Sequence, residues 1–168
     1  MKTTDFSNIE TDLAPIGLIR DQNFSIYFCT PENAVVFANI GCDGIHFCVI
    51  PEENDLTLDH SPVYVVSPMM PDHYVEAVAD TFDDFISLVV SVKDAGALEC
   101  ISHVEPEVFM NHISDIPQGS SEVESAVAAL SRAFPVRIID DIYGYVRQTQ
   151  AKTDLAKIRF SEEYYDLT

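Results

Sequence analysis

Two thiols and an imidazole, Cys42, His46 and Cys48, stand close together in this sequence. Soft donors of that kind gather a zinc ion when a fourth ligand, here Cys29, reaches them. Zinc knuckles use tighter C-x-x-C spacing, and these cysteines also read as small apolar side chains on buried strands. Neither a metal nor a cofactor is therefore expected. Asp59-His60 and Asp72-His73 each set a carboxylate beside an imidazole, the groups that move protons; His103 and His112 lie alone among acids. Adjacent side chains on a strand point to opposite faces, which makes each dipeptide a poor site by itself. The acidic loop 52–59 offers oxygen ligands, yet it lacks the alternating Asp spacing and central Gly of a calcium loop. No GxSxG elbow, Gly-rich phosphate loop or HExxH is present, and the 6 glycines are dispersed. No catalytic residue is assigned, and the expectation is a protein that is not an enzyme.

Two segments have the composition of contact surfaces. One is Ser67-Pro68-Met69-Met70-Pro71-Asp72-His73-Tyr74, where adaptable methionines and an aromatic stand between prolines that reduce the ordering cost of binding. Met69, Met70, Asp72 and Tyr74 are its candidate partner-binding residues; the alternative is that the methionines plug the end of the sheet. The other is Ser161-Glu162-Glu163-Tyr164-Tyr165-Asp166, in which Tyr164 and Tyr165 are candidate anchors inside an acidic rim of Glu162 and Glu163. Here the alternative is that one tyrosine docks the terminus and the other is solvated. Charge agrees with a contact role: 28 Asp and Glu against 9 Lys and Arg give a formal charge of -19, on a chain that is 47% apolar. Enough apolar residue for a core makes the charge a property of a surface, not of a disordered polyampholyte. Such a surface repels nucleic acid and anionic membranes and speeds encounter with basic proteins; the plainer reading is solubility alone.

The elements that must position these residues change character half-way. Apolar runs rich in β-branched and aromatic residues at 25–29, 34–40, 45–50 and 63–66 predict antiparallel strands. Gly41-Cys42-Asp43-Gly44 predicts a tight hairpin between the second and third. In 45–50, Ile45, Phe47 and Val49 share one face and His46, Cys48 and Ile50 the other, so both faces are at least partly covered. The stretch 51–62 predicts an exposed loop. From Asp80 the period becomes helical through Phe82, Phe85, Ile86 and Val89, with Thr81 and Asp84 in capping positions. Further helices are predicted at 95–103, at 107–113 behind Pro106, at 121–134 with Ser121 and Glu124 in capping-box spacing, and at 138–150. Lys157-Ile158-Arg159-Phe160 offers a last short strand. The fold class is α+β, an antiparallel sheet of about four to six strands, mostly in the first half, covered by helices from the second. No run reaches the ~18 apolar residues of a membrane span and no signal-peptide core opens the chain. A cytoplasmic protein with reduced thiols and one domain over 1–168 is expected.

The Gly41-x-x-Gly44 hairpin, the strand Pro62-Val63-Tyr64-Val65-Val66-Ser67 and the helix opening Thr81-Phe82-Asp83-Asp84-Phe85 occur in an order that resembles the SUKH superfamily, the group of the yeast cell-wall synthesis regulators and many bacterial proteins. The likeness covers about residues 34–92. It implies a SUKH-like α+β domain that binds protein partners and has no catalysis of its own. Bacterial members are typically immunity proteins that neutralise secreted toxins, often nucleases, so the implied partner is a basic toxin domain. A regulatory or scaffolding protein with an endogenous partner is the alternative, and an enzyme with an unrecognised site is third.

Overall fold

The computed structural model describes residues 2–21, 23–51, 60–116 and 119–168. The fold is α+β. Four antiparallel strands, β1 (Val35–Asn39), β2 (His46–Val49), β3 (Val63–Val66) and β4 (Val75–Ala79), form a meander in the order β1-β2-β3-β4. The helices are α1 (Lys2–Ser7), α2 (Phe82–Val92), α3 (Gly96–Glu99), α4 (Pro106–Ser114), α5 (Ser121–Ala133), α6 (Ile142–Lys152) and α7 (Glu162–Leu167). Tight 3-10 turns lie at Ala14–Ile16, Cys100–Ser102 and Leu155–Lys157.

The predicted hairpin joins β1 to β2. Gly41, Asp43 and Gly44 all have positive φ, 84°, 52° and 70°, a region that glycine occupies freely and Asp tolerates. Asn39 then faces His46 across the ladder. Further along the same pair the register slips between Val36 and Ala38. The bulge turns the Phe37 ring into the helical side of the core, 5.0 Å from the Phe82 ring, 5.4 Å from Phe85 and 5.7 Å from Phe6.

Every residue of β2 and β3 is buried, as the mixed faces of 45–50 predict. Phe47, Val49, Val63 and Val65 meet Phe82, Phe85, Ile86 and Val89 of α2 together with Ala126 and Leu130 of α5. On the other face, Cys48, Tyr64, Val66, Val75 and Ala77 are covered by Phe28, Cys29, Ile158, Phe160 and Tyr164. That second cover comes from the chain on either side of Cys29 and from the C-terminal residues, mostly without regular structure.

The acidic start of α2 serves as an anchor. Thr81 Oγ1 accepts the Asp84 N–H at 3.2 Å, the cap that the Thr81/Asp84 spacing predicts. Tyr145 of α6 donates to Asp84 Oδ2 at 2.8 Å and accepts the Asp80 N–H at 3.1 Å, while Arg137 Nε donates to Asp84 Oδ1 at 2.6 Å. Thr149 and Lys152, also of α6, reach the Asp80 carboxylate. Burial pulls the Asp84 carboxyl upward, but the donors from Arg137 and Tyr145 outweigh it and hold it below the usual carboxylate range.

Several expectations need correction. Residues 25–29 form no strand: Tyr27 O accepts the Thr30 N–H and Thr30 Oγ1 accepts the Tyr27 N–H, both at 2.9 Å, closing a turn that spends the backbone groups a ladder would use. The fourth strand is instead β4, whose Glu76, Ala77 and Ala79 have weak strand preference. Residues 158–160 are extended but join no ladder; Glu32 N–H to Arg159 O at 2.8 Å ties them to the turn after Cys29. The helix predicted at 95–103 is divided into α3 and a 3-10 turn. Ser120, not Ser121, precedes α5, and its hydroxyl donates to the Glu122 carboxylate at 2.6 Å instead of capping the backbone. The last long helix starts four residues later than its apolar spacing predicts, at Ile142, where the Asp141 carboxylate accepts the Gly144 N–H at 2.8 Å. Helices α1 and α7 were not expected, and the loop 52–59 lies outside the described residues.

Gly44 is the most restrictive turn position, because a Cβ there would stand 2.4 Å from the Tyr27 ring on top of an unfavourable φ. Gly44→Ala is expected to lower unfolding stability by about 2 kcal/mol or more, measured by urea denaturation; a change below about 0.5 kcal/mol would remove the constraint.

Candidate functional site

Of the two contact segments, the fold brings one end of each together. The 67–74 segment closes on itself: Ser67 N–H donates to Tyr74 O at 2.9 Å, Met70 N–H to Ser67 O at 3.0 Å and His73 N–H to Met70 O at 3.0 Å. Asp72 sits at φ 74°, a left-handed position for a non-glycine residue, and is exposed. Tyr74 leads into β4 and is half-buried. From the other end of the chain, Ile158 and Phe160 turn inward onto the sheet while Lys157 and Arg159 turn out. After them α7 sets Tyr164 against Phe160, rings stacked with centroids 4.0 Å apart.

The result is an aromatic cluster. Tyr164 lies edge-on to Tyr74 at 6.1 Å and close to Phe28 at 6.3 Å, and Phe28 meets Tyr74 at 5.3 Å. Tyr165 stands edge-on to Tyr164 at 5.3 Å and remains 63% exposed. A groove of about 250 Å³ opens beside the cluster, walled by Asp72, Tyr74, Ile158, Phe160, Tyr164 and Thr168. Burial, with smaller effects from Tyr74, Cys29 and Tyr165, pushes the Tyr164 phenol up, so it stays protonated. Glu162 and Glu163 occupy the exposed first turn of α7, where the helix dipole favours them. Met69 is 71% exposed at the outside of its turn, and neither it nor Met70 lines the groove.

Several of the chain's few cations are engaged away from the acids beside this groove. Lys93 pairs with Glu124, Arg137 with Asp84 and Lys152 with Asp80. Arg20 is turned inward, donating to the carbonyls of Phe6, Ile9 and Thr11. Among the described residues no lysine or arginine pairs with Asp72, Glu162, Glu163 or Asp166.

The groups that could do chemistry are separated or satisfied. His46 is fully buried, with Nδ1 2.7 Å from Gly44 O and Nε2 3.1 Å from Thr30 Oγ1. A carbonyl only accepts, so Nδ1 carries the proton, and in the neutral ring Nε2 accepts from the Thr30 hydroxyl. Both nitrogens are therefore occupied. Cys42 is exposed in the hairpin, whereas Cys48 is fully buried and its thiol is pushed up to about 12 by burial. Cys29 is pushed up to about 11 for the same reason. Among the described residues these groups do not converge, and the three ligating side chains that do are Glu99, Cys100 and His103, within 4.8 Å of one another. There burial, then the charge of Glu99, raises the Cys100 thiol to about 11 and keeps it protonated. His73 Nδ1 lies 2.9 Å from Glu76 Oε1 and not against Asp72. His103 and His112 are exposed, and Asp59 lies outside the described residues.

The chain matches no family model, no curated protein and no solved structure.

Of the groove's lining, Asp72, Tyr74 and Tyr164 are residues that the sequence marks for contact, whereas Val75, Leu155, Ile158, Phe160 and Thr168 lie outside the two marked segments, as does Phe28 in the cluster behind them. Ile158 and Phe160 alternate with Lys157 and Arg159, a pattern that predicts a strand, whereas the inward side chains serve as a cover. No helix among the described residues is long and apolar enough to cross a membrane.

His46 gives the site's scaffold a pH dependence with a definite sign. Burial, against a smaller pull from the Gly44 bond, lowers its pKa below the ordinary ~6.5. The native state then binds fewer protons than the unfolded chain, so this contribution is complete above about pH 6.5 and is lost as pH falls toward the native value. Thermal melts from pH 7.5 to 5 should show a falling Tm whose slope is reduced in His46→Gln. An unchanged slope in that variant would assign the effect to other groups.

Proposed function

We propose that this chain is a non-catalytic protein-binding module that holds a basic protein partner on the acidic face around the Tyr74–Tyr164 groove, and that the partner is a toxin domain it neutralises in the cytoplasm. The observation that carries the reading is the meeting of exposed Tyr165 and the aromatic groove with carboxylates that pair with no lysine or arginine among the described residues. Aromatic side chains surrounded by like-signed charge suit an interface in which rings anchor and charges steer. A nuclease lines its substrate groove with Lys and Arg to hold phosphates, and an acidic face can occupy that groove in place of nucleic acid. The likeness of residues 34–92 to the SUKH superfamily supports the same function.

Capture with the tagged chain, at low and high salt, from its source lysate and with the product of the adjacent gene, tests this. Recovery of a basic domain whose activity is abolished in the complex is the expected result; housekeeping proteins alone would overturn the toxin reading. Glu162→Lys with Glu163→Lys changes the net charge from -19 by four positive units, two per substitution. In stopped-flow mixing with that domain the association rate should fall about tenfold at low salt, with little change in dissociation. Loss seen only in the dissociation rate would place the interface elsewhere.

A further inference from the structure

We propose that the groove is a socket for an arginine side chain of the partner; this rests on the acidic-face reading above and names the group that the face grips. Its walls combine three requirements of a guanidinium. The rings of Tyr74, Phe160 and Tyr164 line it; Phe160 and Tyr164 already stack on each other, so a flat, weakly hydrated cation has Tyr74 or the outer face of that pair to stack on. Asp72 lines the groove beside Tyr74, exposed and without an ion pair among the described residues, and a carboxylate accepts two parallel N–H donors. Val75, Leu155 and Ile158 supply the apolar flank along which a three-carbon stem lies.

Size and charge exclude the other occupants. About 250 Å³ suits one side chain and is below the usual range for a cofactor or drug-sized ligand. A carboxylate on the wall, with Glu162, Glu163 and Asp166 on the adjoining helix, repels an anion. A purely apolar side chain would leave Asp72 desolvated with no partner. Lysine brings the charge but neither the planar stacking face nor the forked donors, so the socket should prefer arginine to lysine at equal charge. The chain's own nearest cations do not fill it: Lys157 is drawn 3.6 Å from Asp154 on the solvent side, and Arg159 faces outward from the extended segment.

The test uses two fluorescein-labelled nonapeptides of equal charge, one with three arginines and six glycines, the other with lysines in their place. Anisotropy titrations with the full chain at low salt should show the arginine peptide binding at least about fivefold more tightly. Its addition should move the amide signals of Val75, Phe160 and Thr168. Asp72→Asn, tolerated at a left-handed φ and on the surface, should remove most of the preference, and Tyr164→Leu, which keeps the core filled, should weaken the arginine peptide more than the lysine one. Equal binding of both peptides, lost on Glu162→Lys with Glu163→Lys but not on Asp72→Asn, would overturn the socket and leave the acidic-face reading intact. Binding of neither peptide would also overturn the socket, while capture of the folded partner decides the face independently.

Discussion

Strands β2 and β3 have no side that tolerates water, and the rest of the architecture answers to that constraint. An antiparallel meander commonly buries one face and solvates the other. Here Phe47, Val49, Val63 and Val65 look one way while Cys48, Tyr64 and Val66 look the other. The helices cover the first face with a set of interlocked phenylalanine rings from α1, β1, β2 and α2. Among the described residues no long helix is left for the second face. It is closed by the turn around Cys29 and by residues 158–164, which are tied to each other through a backbone bond and stacked rings. A cover assembled from short pieces leaves a seam, and the groove is that seam.

The same economy of elements explains the electrostatics. Covering the first face requires α6 to be held across the start of α2, and it is held by polar groups: Tyr145, Thr149 and Lys152 on one side, Asp80 and Asp84 on the other. Arg137 joins them and lies over the Tyr145 ring at 5.5 Å. Arg20 is drawn in to satisfy three carbonyls behind α1, a use of a cation that no neutral side chain reproduces with one planar group. With so few cations and several of them assigned to fixing helices, the acids of α7 and the 67–74 turn pair with no lysine or arginine among the described residues. The negative surface follows from 28 acids against 9 bases, and the structural use of several bases sharpens it locally.

Much of the fold was legible because its signals are local. The Gly41–Gly44 hairpin, the two-faced strand 45–50, the Thr81 cap and the stripe Phe82, Phe85, Ile86, Val89 each follow from a few adjacent residues. What escaped is what depends on distant partners. Strand β4 has the composition of a weak strand and exists because β3 pairs with it. Residues 25–29 have the composition of a strong strand and are turned by Thr30, since β1 is bridged instead by Ile19 at Asn39. The late start of α6 follows the same logic: Ile138 keeps helical spacing with Ile142 but is 85% exposed, because Asp141 supplies the cap. For the site, Asp72, Tyr74 and Tyr164 were found from composition, whereas the packing of Ile158 and Phe160 beneath them could not be separated from strand pairing by alternation alone.

Assembly from separate parts also gives the candidate site its physical character. One wall belongs to the turn entering β4, fixed to the sheet through the Ser67–Tyr74 bond and the β3 ladder. The opposite wall belongs to residues 155–168, held mainly by side-chain burial and by single hydrogen bonds such as Glu32 to Arg159. Burial of Ile158, Phe160 and Tyr164 must offset the conformational entropy of ordering that whole segment, about 1–2 kcal/mol for each residue's backbone. Aromatic residues suit the task, since each buries a large area for little rotamer entropy. The rings that dock the tail are the rings that line the groove, so the groove exists only while the tail is docked. A ligand held between the two walls adds contacts to both and binds the docked state alone, which stabilises the tail by the same free energy that the docked tail contributes to binding.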